Sequence, residues 1–160
     1  MASAPPSPSL APLTGRIRRG SLADVDAVLA LEALFPTDRM SRRTVRRFLS
    51  VPTAELLIAE DAAGVAVGNL VWLRRAGSRA ARIYSLVVAP AARGQRWGER
   101  LILAMEATAA ATGCERATLE VRADNAVARA LYERLGYRVA QTLPGYYEDG
   151  ADGLRLVKPL

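Results

Sequence analysis

Hydrophobic positions along this chain change their spacing several times, and each change marks an element. Val25, Val28, Leu29 and Glu32 share one stripe at helical intervals, running to about Leu34. Ser21 followed by Asp24 has the spacing of a capping box and predicts the start of that helix. Phe35-Pro36 predicts its end, because proline disfavours helical geometry in the residue before it. Ser41 caps a second short helix, "RRTVRRFL", with Val45, Phe48 and Leu49 facing inward and Arg42, Arg43, Arg46 and Arg47 in water. The runs "ELLIAE" (55–60), "VAVGNLVWL" (65–73) and "RIYSLVVA" (82–89) then read as an antiparallel meander, with "GRIRRG" (15–20) as an earlier strand. A helix over about 94–112, a strand at 116–122, a helix over about 125–135 and strands at 137–143 and 153–158 complete the order. The pattern predicts an α/β (α+β) chain with a mixed, mostly antiparallel central sheet of about six to seven strands and helices on both faces.

Two helices carry the sharpest expectations. The one that follows "SLVVAP" shows a stripe of Trp97, Leu101, Ala104, Met105 and Thr108 behind a glycine turn at Gly94 and Gly98. Free amides and the positive dipole end at such a helix start form an anion site, and glycine lets the backbone approach a phosphate closely. Gly98 equally suits close packing of the helix on the sheet. In the later helix Asn125 is the cap, Val127, Leu131 and Leu135 form the apolar stripe, and Tyr132 lies at its edge with its hydroxyl free.

Composition narrows the chemistry. The chain of 160 residues suits one domain over residues 16–160, preceded by a proline-rich arm, "MASAPPSPSLAPLTG" (1–15), that reads as disordered. It contains no histidine, which removes Ser-His and Cys-His nucleophile systems and the commonest zinc ligand. The single cysteine, Cys114, forms no internal disulfide and fits a cytoplasmic protein. The net charge of +6 is carried by guanidinium groups, since Lys158 is the one lysine. Guanidinium suits phosphate and carboxylate forks, but an arginine-rich genome would give the same balance. No run of apolar residues is long enough for a membrane span, so no membrane partner is expected. The acidic loop at Glu148, Asp149 and Asp152 lacks the spacing of a metal site.

The segment "LVVAPAARGQRWGERLI" resembles the cofactor-binding motif of the GCN5-related N-acetyltransferase (GNAT) family, Arg/Gln-x-x-Gly-x-Gly/Ala after a strand. Arg93 fills its first position and Gly98 its last, while Arg96 stands where the family usually has the middle glycine. "LEVRADNAVARALYERLGYR" (119–138), Phe35-Pro36 and "GYYEDGADGLRL" resemble the ribosomal-protein-alanine N-acetyltransferases and related N-terminal acetyltransferases, so the likeness extends over residues 16–158. It implies acetyl-CoA as acetyl donor, and with the acidic loop lacking metal-site spacing no metal is expected. It further implies a donor site formed by the backbone of Leu86, Val87 and Val88, by Arg93, Gly94, Gln95, Arg96, Trp97, Gly98 and Glu99, and by Asn125 and Tyr132. The implied reaction is direct transfer to an amine, with Glu120 as base and Tyr132 as acid. Phe35, Tyr146 and Tyr147 would meet the acceptor, a protein or peptide N-terminus or a small-molecule amine.

Residue chemistry is consistent with those roles without requiring them. Glu120 stands mid-strand between Leu119 and Val121, whose side chains point to the opposite face, so its carboxylate has no packing duty there. A phenol with its ordinary pKa of about 10 is protonated at neutral pH and can donate to a thiolate whose thiol pKa is about 8.5. A solvated strand carboxylate and a packing tyrosine remain as the plain structural readings. Three functional readings follow: an N-terminal acetyltransferase, an acetyltransferase for a lysine side chain, polyamine or small amine, and a non-catalytic CoA-binding module. A homodimer is compatible with each, and nucleic acid is expected only through a ribosomal context.

Overall fold

A computed structural model describes residues 14–36 and 39–160. The expected arm, apart from Thr14 and Gly15, lies outside the described residues. The elements run β1 (Arg16–Arg19), a 3-10 turn (Leu22–Asp24), α1 (Val25–Glu32), α2 (Arg42–Phe48), β2 (Ala54–Glu60), β3 (Ala66–Arg74), β4 (Ala80–Val88), α3 (Trp97–Ala111), β5 (Arg116–Arg122), α4 (Ala126–Arg134), β6 (Arg138–Leu143) and β7 (Gly153–Pro159). One seven-stranded sheet has the order β1-β2-β3-β4-β5-β7-β6. All pairings are antiparallel except β4 with β5, which the α3 crossover makes parallel. The predicted α/β architecture, with a mixed and mostly antiparallel sheet, is the observed one.

The two faces of the sheet bury separate clusters. Val25, Val28, Met40 and Val45 of the α1–α2 layer pack on Leu56, Ile58 and Val71. On the other face Trp97, Leu101, Ile102, Met105 and Ala109 of α3 meet Leu70, Trp72, Ile83 and Leu119, with Tyr132 and Tyr137 alongside. Strand alternation divides the sheet residues between the two layers. Ser21 behaves as expected, its amide donating to Asp24 Oδ2 at 2.8 Å, and Arg18 grips the same carboxylate with both Nη atoms at 2.7 and 2.8 Å.

Several local expectations shift. The helix expected from about residue 94 begins at Trp97, because Gly94 and Arg96 both take positive φ and no helix passes through that geometry. Its buried face is Trp97, Leu101, Ile102, Met105, Glu106 and Ala109, so Thr108 and Ala104 sit at the border. Glu106 can be buried because Lys158 Nζ meets its oxygens at 2.5 and 3.1 Å and the Tyr137 hydroxyl donates to it at 3.3 Å.

The largest correction concerns α4. Val127, expected in the apolar stripe, is 84% exposed, whereas Tyr132, expected at the edge, is only 7% exposed. The inward face is set by Ala128, Leu131, Tyr132 and Leu135, an i, i+3, i+4, i+7 set. Tyr132 is drawn inward by Tyr137 after the helix, the two rings meeting edge to face at 5.6 Å.

Candidate active site

The site begins where β4 and β5 part. They pair only over Ala80–Arg82 and Arg116–Thr118. Beyond Arg82, the β4 edge on that side has no strand partner among the described residues. A bulge contributes, since Val71 faces Ser85 and Trp72 faces Ile83, leaving Tyr84 as the extra residue on β4. The wedge between the strands opens into a cavity of about 460 Å³, lined by Leu86 and Val87 of β4, Glu120 of β5, and Asn125 and Tyr132 at α4. Phe35, Tyr146 and Tyr147 line it from the loops. Main-chain hydrogen-bonding groups along an unpaired strand edge suit an extended amide-bearing ligand.

Glu120 is held rather than free. Arg155, directly across on β7, reaches Oε1 from Nη2 at 3.3 Å, and Arg82 Nε donates to Oε2 at 3.0 Å. The carboxylate is 11% exposed, less than either arginine. Gln141 accepts from Arg155 at 2.9 Å and fixes that guanidinium in turn. Tyr132 has a pKa pushed up to about 12 by burial, so its phenol carries a proton throughout the neutral range. Its hydroxyl has no hydrogen-bond partner among the described residues.

The loop between β6 and β7 is strapped across this cavity. Arg122 donates to Asp149 from both Nη atoms, at 3.2 and 2.6 Å, and to Asp124 at 3.3 Å, and its guanidinium lies 5.0 Å from the Tyr147 ring centre. These partners push the arginine pKa up, while Arg122 holds the Asp149 carboxyl below the usual range. Tyr146 and Tyr147 stack edge to face at 5.1 Å. On the opposite side Glu32, the last residue of α1, also lines the cavity. Its Oε2 accepts from the Met40 amide at 3.0 Å, whereas Oε1 is buried without a partner among the described residues. Burial pushes its pKa up, and the Met40 bond opposes only part of that shift.

The glycine turn forms a separate feature, because none of Arg93, Gly94, Gln95, Arg96, Trp97, Gly98 and Glu99 lines the cavity itself. Gly94 has φ 83° with open space where a side chain would start. Arg96 is the one described non-glycine residue with positive φ, at 61°. Thus the residue standing where the motif has a glycine adopts the conformation for which glycine is suited. Arg96 gives no side-chain cap to α3, so among the described residues the first-turn amides are left for an external anion. A side chain at Gly98 would meet Leu131, Leu86 and Val88 only at 3.5–4.0 Å, which is ordinary contact, so close packing does not demand glycine there. Trp97 is a core residue by its side chain, 2% exposed, with Nε1 donating to Gln95 Oε1 at 3.1 Å. Val88 lies on β4 just outside the cavity lining.

The residues sequence reasoning missed are Arg82, Arg155, Arg122 and Glu32. The first three act through cross-strand and loop partners that no local pattern reveals. Glu32 did leave a signal, since a carboxylate on the apolar stripe of α1 needs a reason to be there.

Comparison with known proteins accords with this geometry. The sequence profile described as "Acetyltransferase (GNAT) family" matches residues 26–137, and the chain belongs to that family. An uncharacterized N-acetyltransferase of Methanocaldococcus jannaschii is 32% identical over 146 residues, 89% of this chain and 90% of its own length. An N-alpha-acetyltransferase of Sulfurisphaera tokodaii is 27% identical over 155 residues, covering 91% of this chain and 93% of the relative. Among solved structures, the ribosomal-protein-S18-alanine N-acetyltransferase from Escherichia coli superposes with a TM-score of 0.81 at 24% identity, over 91% of this chain and 93% of that one, which shows the shared fold. The chain is an acyltransferase of the GNAT type, and that family uses acetyl-CoA. Among the described residues, no helix is long and apolar enough to cross a membrane.

Proposed function

We propose that residues 16–160 form one acetyltransferase domain that moves an acetyl group from acetyl-CoA to the N-terminal α-amino group of a protein or peptide. The observation that carries this reading is one cavity holding a carboxylate, a protonated phenol and the unpaired edge of β4. Acetyl-CoA brings an activated thioester carbonyl. The open first turn of α3 and the loop from Arg93 suit its pyrophosphate, and the β4 edge at Leu86, Val87 and Val88 suits its amide-bearing arm. Asn125 serves its helix and the wall of that channel together.

Glu120 receives the proton that the acceptor nitrogen must shed. The Arg82 and Arg155 guanidiniums on either side of it favour the neutral form of a nearby amine, since each disfavours a further positive charge. Tyr132 gives its proton to the departing sulfur, because a phenol held neutral by burial has that proton available at every neutral pH. Phe35 and the tyrosine pair on the strapped loop border the acceptor entrance, where flat aromatic surfaces suit a peptide backbone. The name of the S. tokodaii relative supports an α-amino acceptor. A chain with one unpaired cysteine and arginine-borne charge fits cytoplasmic work on newly made or ribosomal proteins.

The test is incubation with acetyl-CoA and a peptide panel, some with free N-termini and some with blocked N-termini and a lysine, with mass spectrometry of the products. Acetylation of free N-termini with matching thiol release is expected. Modification confined to lysine side chains or polyamines would overturn the acceptor assignment, and CoA binding without turnover would overturn the catalytic one.

A further inference from the structure

Two carboxylates line the cavity, and their situations differ. Glu120 is compensated twice over by Arg82 and Arg155. Glu32 is 3% exposed and, among the described residues, has no ion-pair partner and no hydrogen-bond partner for Oε1. A buried carboxylate oxygen with nothing to accept from is costly, so such an atom marks the place of a donor that arrives from outside. Its other oxygen is committed to the Met40 amide, just before the Ser41 cap of α2. Neither guanidinium that serves Glu120 is bonded to Glu32.

We propose that Glu32 is an acceptor-binding residue, its free Oε1 accepting a hydrogen bond from the ammonium of the incoming amine before that nitrogen reaches Glu120. This deepens the reading given under Proposed function and rests on the same cavity. The acceptor arrives mostly as a cation, and the arginine pair around Glu120 repels it. A carboxylate that no cation among the described residues compensates takes up the complementary charge as the ammonium approaches, where the α1–α2 side meets the entrance. Glu32 thereby sets a requirement for a charged primary amine at that point and disfavours acceptors whose nitrogen is already acylated. The unusual placement of an acidic residue on the packing stripe of α1 gains a purpose that core formation does not supply.

The experiment is calorimetry on the CoA-bound protein with one peptide in two forms, free N-terminus and N-acetylated, for the wild type, Glu32→Gln and Glu120→Gln. Glutamine keeps an oxygen for the Met40 amide and loses only the charge. Wild type is expected to bind the free-amine peptide at least tenfold more tightly than the capped one, Glu32→Gln to lose that preference, and both to bind CoA equally. Unchanged preference in Glu32→Gln, or none in the wild type, overturns the proposal. Should the variant unfold, the side-chain carboxyl resonance of Glu32 in labelled wild-type protein decides. It should move with free-amine peptide and not with capped peptide, and indifference to both overturns the proposal. Because binding is read without turnover, an absence of acetyl transfer would sink the catalytic reading while leaving the Glu32 result standing.

Discussion

Two helices start beside the same site in opposite ways. At α4, Asn125 Oδ1 accepts from the Ala128 amide at 3.1 Å, and the helix completes its own first turn. At α3, Gly94 and Arg96 both take positive φ and no described side chain caps the turn. The first arrangement is a cap chosen for stability. The second accepts backbone strain at Arg96 and still leaves donors exposed, which makes sense when an external anion supplies the missing acceptor. On the proposed function the difference separates tasks: α4 would carry the chemistry through Tyr132, while α3 would hold the donor's phosphates.

That division predicts which variants alter turnover and which alter donor affinity. The largest effect falls on the chemistry. Tyr132→Phe and Glu120→Gln should each lower kcat by about 10²–10⁴-fold, with CoA affinity nearly unchanged, measured by steady-state kinetics and calorimetry. Full turnover in both would dissolve the division.

Next in size is an alkaline effect carried by Tyr132 of α4. The Tyr132 phenol ionises near 10 when unfolded and at about 12 in the fold. Since the folded state keeps the proton longer, the full stabilising contribution is present below pH 10 and is lost as pH rises towards 12. The loss is on the order of 2 kcal/mol, read as the difference between wild type and Tyr132→Phe in denaturant titrations across that window. A difference that stays constant with pH would refute the buried phenol.

Gly94→Val should weaken CoA binding by about tenfold, because a β-branched residue resists φ 83° by roughly 1–2 kcal/mol, while kcat at saturating donor is retained. The smallest effects compare the two helix starts directly. Asn125→Ala should cost about 1 kcal/mol of stability. Arg96→Gly should gain about 1 kcal/mol by removing the left-handed strain. Urea denaturation checks both, and a destabilised Arg96→Gly would mean that the arginine side chain compensates its own backbone.

The fold was largely legible in the sequence because period-two and helical spacing are local signals, and the meander, the crossover helix and the last three strands all sit near their expected places. The α4 face was misread because Tyr137, which draws Tyr132 inward, lies beyond the helix and outside its periodicity. Glu120 was legible as a carboxylate without a packing duty. Its clamp was not, since Arg82 and Arg155 meet it only through the registers of β4, β5 and β7. Glu32 was half visible: its place on an apolar stripe could be read, but its unpartnered oxygen could not. The motif's departure at Arg96 was plain in the sequence, whereas its positive φ required the structure.

Everything turns on whether the open start of α3 and the unpaired edge of β4 receive the thioester donor. Calorimetry and thermal denaturation of the purified protein with CoA test this most directly. One CoA should bind per chain, and ligand at about a hundredfold excess over its Kd should raise stability by about 2.7 kcal/mol. No heat of binding together with an unmoved unfolding midpoint would contradict the account.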